Sequence, residues 1–379
     1  METMKHLFPW LDLIDRPAFC VKGGIVEAVN TAAEHRLLRV GMDIHEIVTD
    51  HWEAYEAFEN GSLYLTITIG DLPYNASVSR TEEYDIFLIY QDAEDDQLHT
   101  LALAAQQLRI PLSNVMTVTD RLLADLDNAN PDTQQQASQI NHGLFQLLRI
   151  ISNMSDAGSY KSAPTSGIQT IDLNAVVDEL MEKALAISAD VGINLSYTGP
   201  NTPILGLAYE EKLERAIYNL ISNALKFSTA GGTVEAKLTK NGNMACFTIS
   251  NLSAEAIDDH SLWNRYRREP SIEDSRFGLG LGMTLISAVA TAHGGTVLVD
   301  HPNPLETRVT MTIAITKENA AVVRSPILRI GDYAGGRDKA LLELSEILTT
   351  DSYKKINSHF PACYCRQVFY KYRLRYSPV

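Results

Sequence analysis

The chain has 379 residues, 45% apolar and 21% charged, with a formal charge of −15, which leaves room for roughly two to four compact domains. The acidic balance excludes a nucleic-acid-binding surface, which needs clustered Lys and Arg, and electrostatic docking on anionic lipid. Cysteines stand only at positions 20, 246, 363 and 365, too scattered for a disulfide framework; residues 1–13 lack the pattern of a signal peptide, and no apolar run reaches about 18 residues, so a cytoplasmic protein without a membrane span is expected.

Residues 1–93 read as a small α+β unit. Ala18–Lys22 and Ile25–Val29 flank Gly23 and Gly24, the pattern of a hairpin closed by a two-residue turn. Residues 31–40 carry helical apolar spacing, and strands are expected at 62–69 and 84–90. This order, with the phrases Ala18-Phe-Cys-Val and Ile25-Val-Glu-Ala-Val-Asn30, resembles a PAS sensor domain. A ligand pocket is what that resemblance implies.

An acidic cluster, Asp92, Glu94, Asp95 and Asp96, opens a helix, where negative charge suits the positive end of the macrodipole. Apolar residues then recur at Leu98, Leu101, Ala105, Leu108, Leu112, Val115 and Leu122, a heptad seam interrupted at Thr119. After a polar loop, Asn130 suits an N-cap and Pro131 a first helical position. The second helix repeats the seam at Ala137, Ile140, Leu144, Leu147, Ile151 and Met154. One hairpin buries such stripes poorly, whereas two hairpins paired as a four-helix bundle bury them well, so a homodimer is expected. The alternative is a hairpin packed on the neighbouring domain of its own chain.

Residues 158–168 read as a linker. An α/β pattern follows, with helices over 173–189, 210–227 and 282–293. Strands near 193–197, 232–239, 244–251, 296–299 and 308–315 complete a two-layer sandwich that closes near Thr316. On the middle helix, Asn219, Asn223 and Lys226 fall at i, i+4 and i+7 on one face. Amide oxygens ligate a hard cation such as Mg²⁺, and a Lys ammonium meets a phosphate; a solvated helix face is the plainer reading. Gly278, Gly280 and Gly282 alternate in a loop running into the next helix, where backbone N–H groups approach phosphates closely. Either signal alone is weak; together they point to a nucleotide site. Beyond Thr316 one helical stretch, 337–348, precedes a basic, aromatic end with no assignable role.

These segments resemble the sensor histidine kinase family. Asn219–Ser228 is similar to the N box of its GHKL-type ATPase domain, Leu262–Arg268 to its F-box region, and Arg276–Leu285 with His293-Gly-Gly to its G2 region. The resemblance covers roughly residues 95–316. It implies that Asn219 and Asn223 hold Mg²⁺, that Lys226 contacts phosphate, and that Gly278, Gly280 and Gly282 line an ATP lid. The family reads adenine with Asp-x-Gly-x-Gly; here Asn251-Leu-Ser-Ala-Glu255 stands in that place. Asn251 keeps an oxygen that accepts from the adenine amino group. Losing both glycines and gaining Glu255 implies weakened ATP affinity.

Gln106-Gln107-Leu108-Arg109-Ile110-Pro111-Leu112 aligns with the family's His-Glu-Leu-Arg-Thr-Pro-Leu box. Leu108, Arg109, Pro111 and Leu112 are kept, and the residues that do chemistry are not. The Gln106 amide nitrogen has no basic lone pair to attack a γ-phosphate. Gln107 is no carboxylate to activate a nucleophile, and Ile110 cannot position a hydrolytic water. A pseudokinase is expected, acting through a response regulator or another histidine kinase. His99, seven residues upstream and about 10 Å away on the same face, is the alternative phosphoacceptor of an active autokinase; a nucleotide-free dimeric scaffold is the other alternative. The expected organisation is multidomain α+β: a PAS-like sensor over 1–93, a dimerisation hairpin over 94–157, the linker, a histidine-kinase-type ATP-binding domain over 169–316, and an extension over 317–379.

Overall fold

The computed structural model describes residues 11, 14, 16–89, 92–124, 131–157, 168–253, 281–315 and 337–357. Strands β1 (Ala18–Lys22) and β2 (Ile25–Val29) form the expected antiparallel hairpin. Its turn residues Gly23 and Gly24 have φ of 57° and 84°, the left-handed values such a turn demands. The helix expected over 31–40 shortens to α1 (Thr31–Glu34). Leu37 has φ 68°, which an α-helix cannot carry.

Short helices α2 (Ile44–Ile47) and α3 (Trp52–Ala57) lead to β3 (Ser62–Ile69), β4 (Leu72–Arg80) and β5 (Asp85–Ile89). Strand β4 was not expected, because Pro73, Asn75, Ser77 and Ser79 dilute its apolar alternation. Its register supplies what the pattern lacks, pairing Ala76 with Leu65 and Val78 with Leu63 on one side and Phe87 on the other. Phe19, Ile67, Val78 and Phe87 of this sheet pack against Leu38, Ile44, Ile47 and Phe58.

Helices α4 (Asp92–Ala124) and α5 (Pro131–Ala157) pack side by side, and α4 runs on through Pro111. The expected seam divides in two. Ala105, Ala137, Leu144 and Ile151 are buried within the chain, whereas Leu108, Val115, Ile140 and Leu147 are each at least 50% exposed. Leu103, Ile110 and Val118 join the exposed set. The Leu98, Leu101 and Leu122 side chains and Asn130 lie outside the described residues.

The remaining elements are β6 (Gln169–Asp172), α6 (Leu173–Val191), β7 (Asn194–Thr198), β8 (Leu205–Ala208), α7 (Glu210–Lys226), β9 (Thr233–Asn241), β10 (Met244–Leu252), α8 (Leu281–Ala292), β11 (Val297–Asp300), β12 (Glu306–Ala314) and α9 (Lys339–Glu343), then a 3-10 stretch, Thr350–Asn357. The pair β6–β8, a small separate sheet, was not expected; each strand has only four residues, too few for a periodic signal. Helices α6, α7 and α8 cover one face of the sheet β11-β12-β10-β9-β7, in which β7 and β9 run parallel.

Two departures concern how the parts join. Strand β3 pairs antiparallel with β11, Tyr64 opposite Val297 and Ser62 opposite Val299, so the two sheets merge into one of ten strands. The last strand of the sandwich ends at Ala314, near the expected close at Thr316, yet the tail beyond it joins the same core. Leu341, Leu342, Leu344, Leu348 and Tyr353 of the tail are buried in the same core as α6, α7 and α5. The helix expected over 337–348 is regular only over α9. No helix among the described residues is long and apolar enough to cross a membrane.

Candidate functional site

Helix α7 carries the expected amides, and its surroundings are drier than its sequence implied. Leu213, Ala216, Ile217, Leu220 and Ile221 are buried. So are Arg215, Asn219 and Ser222 on its other faces: Arg215 meets Glu343 of the tail and Asn153 of α5, Ser222 accepts from Arg149 of α5, and Asn219 lies beside Gly282 of α8. Asn219 is 1% exposed, and its Nδ2 donates to the Arg215 carbonyl at 2.9 Å. That bond leaves its oxygen facing Gly282. A Cβ built on Gly282, in the first turn of α8, would lie 3.7 Å from Asn219 Oδ1 and 3.7 Å from Asn223 Nδ2. Three of the expected residues, Asn219, Asn223 and Gly282, are thus neighbours across a narrow gap that a larger residue at 282 would fill.

Lys226, in the last turn of α7, is elsewhere engaged. Its Nζ donates to Glu346 Oε2 of the tail at 3.1 Å, so the expected phosphate contact is occupied by a carboxylate of the same chain. Burial pushes the Glu346 carboxyl up, but Arg149 and Lys226 outweigh it and hold the group below the usual carboxylate range.

Asn251 sits near the end of β10 between Val234 and Thr307. Strand alternation puts it on the buried face with Ala245, Phe247 and Ile249. The residue is 6% exposed, and among the described residues its Nδ2 has no hydrogen-bond partner. Buried amides are nearly always paired, and this nitrogen keeps its donor capacity on the face of β10 turned toward α7.

His293 is a site residue whose role the sequence did not disclose. It lies in the turn after α8, its Nδ1 donating to the Val289 carbonyl at 2.6 Å and its Nε2 accepting from the Tyr209 N–H at 3.0 Å. Tyr209 is the N-cap of α7 and has no side-chain cap bond of its own. The imidazole therefore caps the helix that bears Asn219 and Asn223 from the end of the helix that bears Gly282. Burial holds it below its ordinary pKa, with the Val289 bond opposing and Lys212 reinforcing that shift, which keeps the ring neutral and Nε2 an acceptor.

On α4, Gln106 and Gln107 are exposed, Ile110 is 68% exposed and Arg109 is half-buried. Gln106 offers solvent an amide that cannot act as a nucleophile at phosphorus. The second hairpin histidine, His142, donates from Nε2 to the Ser345 carbonyl at 2.9 Å and stacks on Tyr353, centroids 5.0 Å apart, which makes it part of the tail's seat. The His99 side chain, Gly278, Gly280, Glu255, His260 and the segment Leu262–Arg268 lie outside the described residues, as do Cys363 and Cys365.

Residues 208–317 match the family described as histidine kinase-, DNA gyrase B-, and HSP90-like ATPase. The hybrid signal transduction histidine kinase D of Dictyostelium discoideum is 26% identical over 234 residues, 59% of this chain and 15% of that protein. The sensor histidine kinase RppB of Synechocystis sp. is 26% identical over 216 residues, 56% of this chain and 47% of that one. Among solved structures, full-length ShkA in complex with AMPPNP aligns at 18% identity with a TM-score of 0.46, covering 58% of this chain and 46% of that one. The chain spans less than half the length of those curated relatives.

Proposed function

We infer that this chain, a sensor histidine kinase homologue with a histidine-kinase-type ATPase domain, is a dimeric signalling protein that binds ATP·Mg²⁺ and places no phosphate on a histidine of its own. Gln106 carries the reading. It occupies the phosphoacceptor position of a hairpin motif that keeps Leu108, Arg109, Pro111 and Leu112, and its carboxamide lacks the basic lone pair that phosphoryl transfer to nitrogen requires. Gln107 and Ile110 remove the neighbouring acid and the water-positioning group in the same stroke.

The residues present fit a nucleotide at two points: the orphan Asn251 nitrogen and the gap bounded by Asn219, Asn223 and Gly282. When bound, ATP·Mg²⁺ supplies a polarised triphosphate. Asn219 and Asn223 would hold the cation through their amide oxygens, Gly278, Gly280 and Gly282 would line the lid, and Asn251 would meet the base. The N-terminal unit serves as a PAS-like sensor. The open apolar stripe of α4 and α5, including Leu108, Val115, Ile140 and Leu147, supports a four-helix dimer. A cytoplasmic response regulator or a second histidine kinase is the partner such a protein acts through.

Incubation of the purified chain with γ-labelled ATP tests the reading; acid-labile, alkali-stable label that survives in a His99→Gln variant would show that another histidine of the chain accepts phosphate. One observation favours a second reading, a nucleotide-free scaffold: Lys226 is held by Glu346. Calorimetry separates the two, since a Kd near 1 µM, about −8 kcal/mol, excludes the scaffold.

A further inference from the structure

The first inference deepens the nucleotide reading and rests on it. A carboxylate at the base-reading position has only acceptors, so it matches the amino group of adenine and opposes the 6-oxo oxygen of hypoxanthine or guanine. A carboxamide has both a donor and an acceptor end. Asn251 is buried, lies on the face of β10 that looks toward α7, and has a nitrogen that no described residue occupies. No described residue, therefore, fixes that donor away from the base. Against adenine, Oδ1 accepts from the amino group while Nδ2 donates to a ring nitrogen; against a 6-oxopurine, the flipped amide donates to the oxo oxygen and accepts from the ring N–H. We propose that Asn251 makes this a purine site tolerant of 6-oxopurines, which binds inosine or guanosine triphosphates on a par with ATP.

The test is calorimetric titration of the full chain with the magnesium complexes of ATP and ITP; ITP is preferred because it lacks the 2-amino group of guanine. The wild-type dissociation constants should lie within about fivefold of each other, and Asn251→Asp should move the ratio at least tenfold toward ATP, as one well-made base pairing discriminates. A wild-type chain that prefers ATP by about a hundredfold overturns the proposal, as does an Asn251→Asp chain with an unchanged ratio. Should the variant fail to fold, the wild-type ratio alone decides. Binding of neither nucleotide overturns the nucleotide reading as well, whereas ATP bound and ITP refused removes only the inference about the base.

A second, independent observation concerns the tail. Glu343 is fully buried between Arg215 of α7, Nε to Oε1 3.1 Å, and Arg149 of α5, Nε to Oε2 3.6 Å. Glu346 meets Arg149 at 3.2 Å and Lys226 at 3.1 Å. Lys339 pairs with Glu214 of α7, and Arg337 with Asp120 of α4 at 2.6 Å. Tyr353 completes the seat, its hydroxyl donating to the Leu341 carbonyl at 2.9 Å while its ring lies against His142 and Phe145 of α5. Every one of these charged contacts ties the tail to the hairpin or to α7. We infer that residues 337–357 are a latch fastening the ATPase domain to the hairpin, with Glu346, at its partly exposed rim, as the point of release.

Hydrogen exchange of the full chain tests this without nucleotide. Glu346→Lys, which faces Arg149 and Lys226 with like charge, should speed exchange over 340–348 by roughly tenfold or more, since like charges at contact distance repel strongly when half-buried, while β9 and β10 keep their protection. The swap Lys226→Glu with Glu346→Lys should restore much of it. Unchanged exchange over 340–348 overturns the latch. So does an equal rise across β9 and β10, because the tail would then be inseparable from the core.

Discussion

A methyl group at position 61 would test how the sensor-like sheet is joined to the ATPase sheet. Gly61 has φ of 88°, and a Cβ there would lie 2.0 Å from the Val299 carbonyl oxygen and 2.9 Å from Asp300 Cα. An ordinary C···O contact is about 3.3 Å, so β11 must retreat by roughly 1.3 Å. It is tied on its far side to β12 through Val297–Asp300, and the shorter ladder to β3, Val297–Val299, is what gives way. Left-handed strain costs about 1–2 kcal/mol, and losing a short ladder at ~1 kcal/mol per bond adds about 2–3 kcal/mol. Gly61→Ala should therefore destabilise the seam by about 3–5 kcal/mol, or about 10²–10⁴-fold in the opening equilibrium. Gly24→Ala is the control: φ is 84° there, but the nearest atom, Ile44 Cγ2, is 3.8 Å away, so strain acts alone at about 1–2 kcal/mol. Amide exchange at 62–64 and 297–299, measured in both variants, separates clash from strain. If those amides exchange alike in the two variants, the seam does not exist in solution.

Glu343→Gln should cost the tail about 3 kcal/mol of local stability, the lower end for a broken buried ion pair, because Arg149 keeps Glu346 and Arg215 keeps Asn153; native-state exchange over 340–348 checks it, and a loss under ~1 kcal/mol would contradict the burial argument. His293 titrates below its ordinary 6.5, so the unfolded chain takes up the proton first. Its contribution is fully present above about pH 6.5 and is lost as pH falls through the lowered value, when Nε2 can no longer accept from Tyr209. Protection of the first turn of α7 should fall on acidification in the wild type and not in His293→Phe; equal pH slopes would refute the capping role. Ile140→Asp with Leu147→Asp should turn a dimer into a monomer by light scattering, since each apolar side chain contributes about 1.5–3 kcal/mol when buried. A wild-type monomer would refute the stripe's assignment.

Much of the fold was legible because its signals are local. The Gly23-Gly24 turn, the Asn219/Asn223 spacing and the glycine-to-helix transition at Gly282 each declare themselves within a dozen residues. Strand β4 was hidden because pairing on both sides, rather than its own alternation, makes it a strand. Leu37 ended a helix that apolar spacing would have continued. The β3–β11 seam left no trace, for an edge strand that meets another reads like one that meets water. The tail's seat left no local sign for a related reason: Arg149, Arg215 and Glu343 look like solvated charges until three distant segments bring them together. That same convergence engages Lys226, expected to contact phosphate, with Glu346, and it seats His142 against Ser345 and Tyr353.

The central claim is that a side-chain amide at position 106 leaves the hairpin without a nucleophile. Incubating the full chain with γ-labelled ATP and Mg²⁺, after calorimetry has established that ATP binds, tests it most directly. Bound nucleotide and no acid-labile phosphate on the protein are the expected result. Label on a histidine of this chain, whether His99 or another, would contradict it.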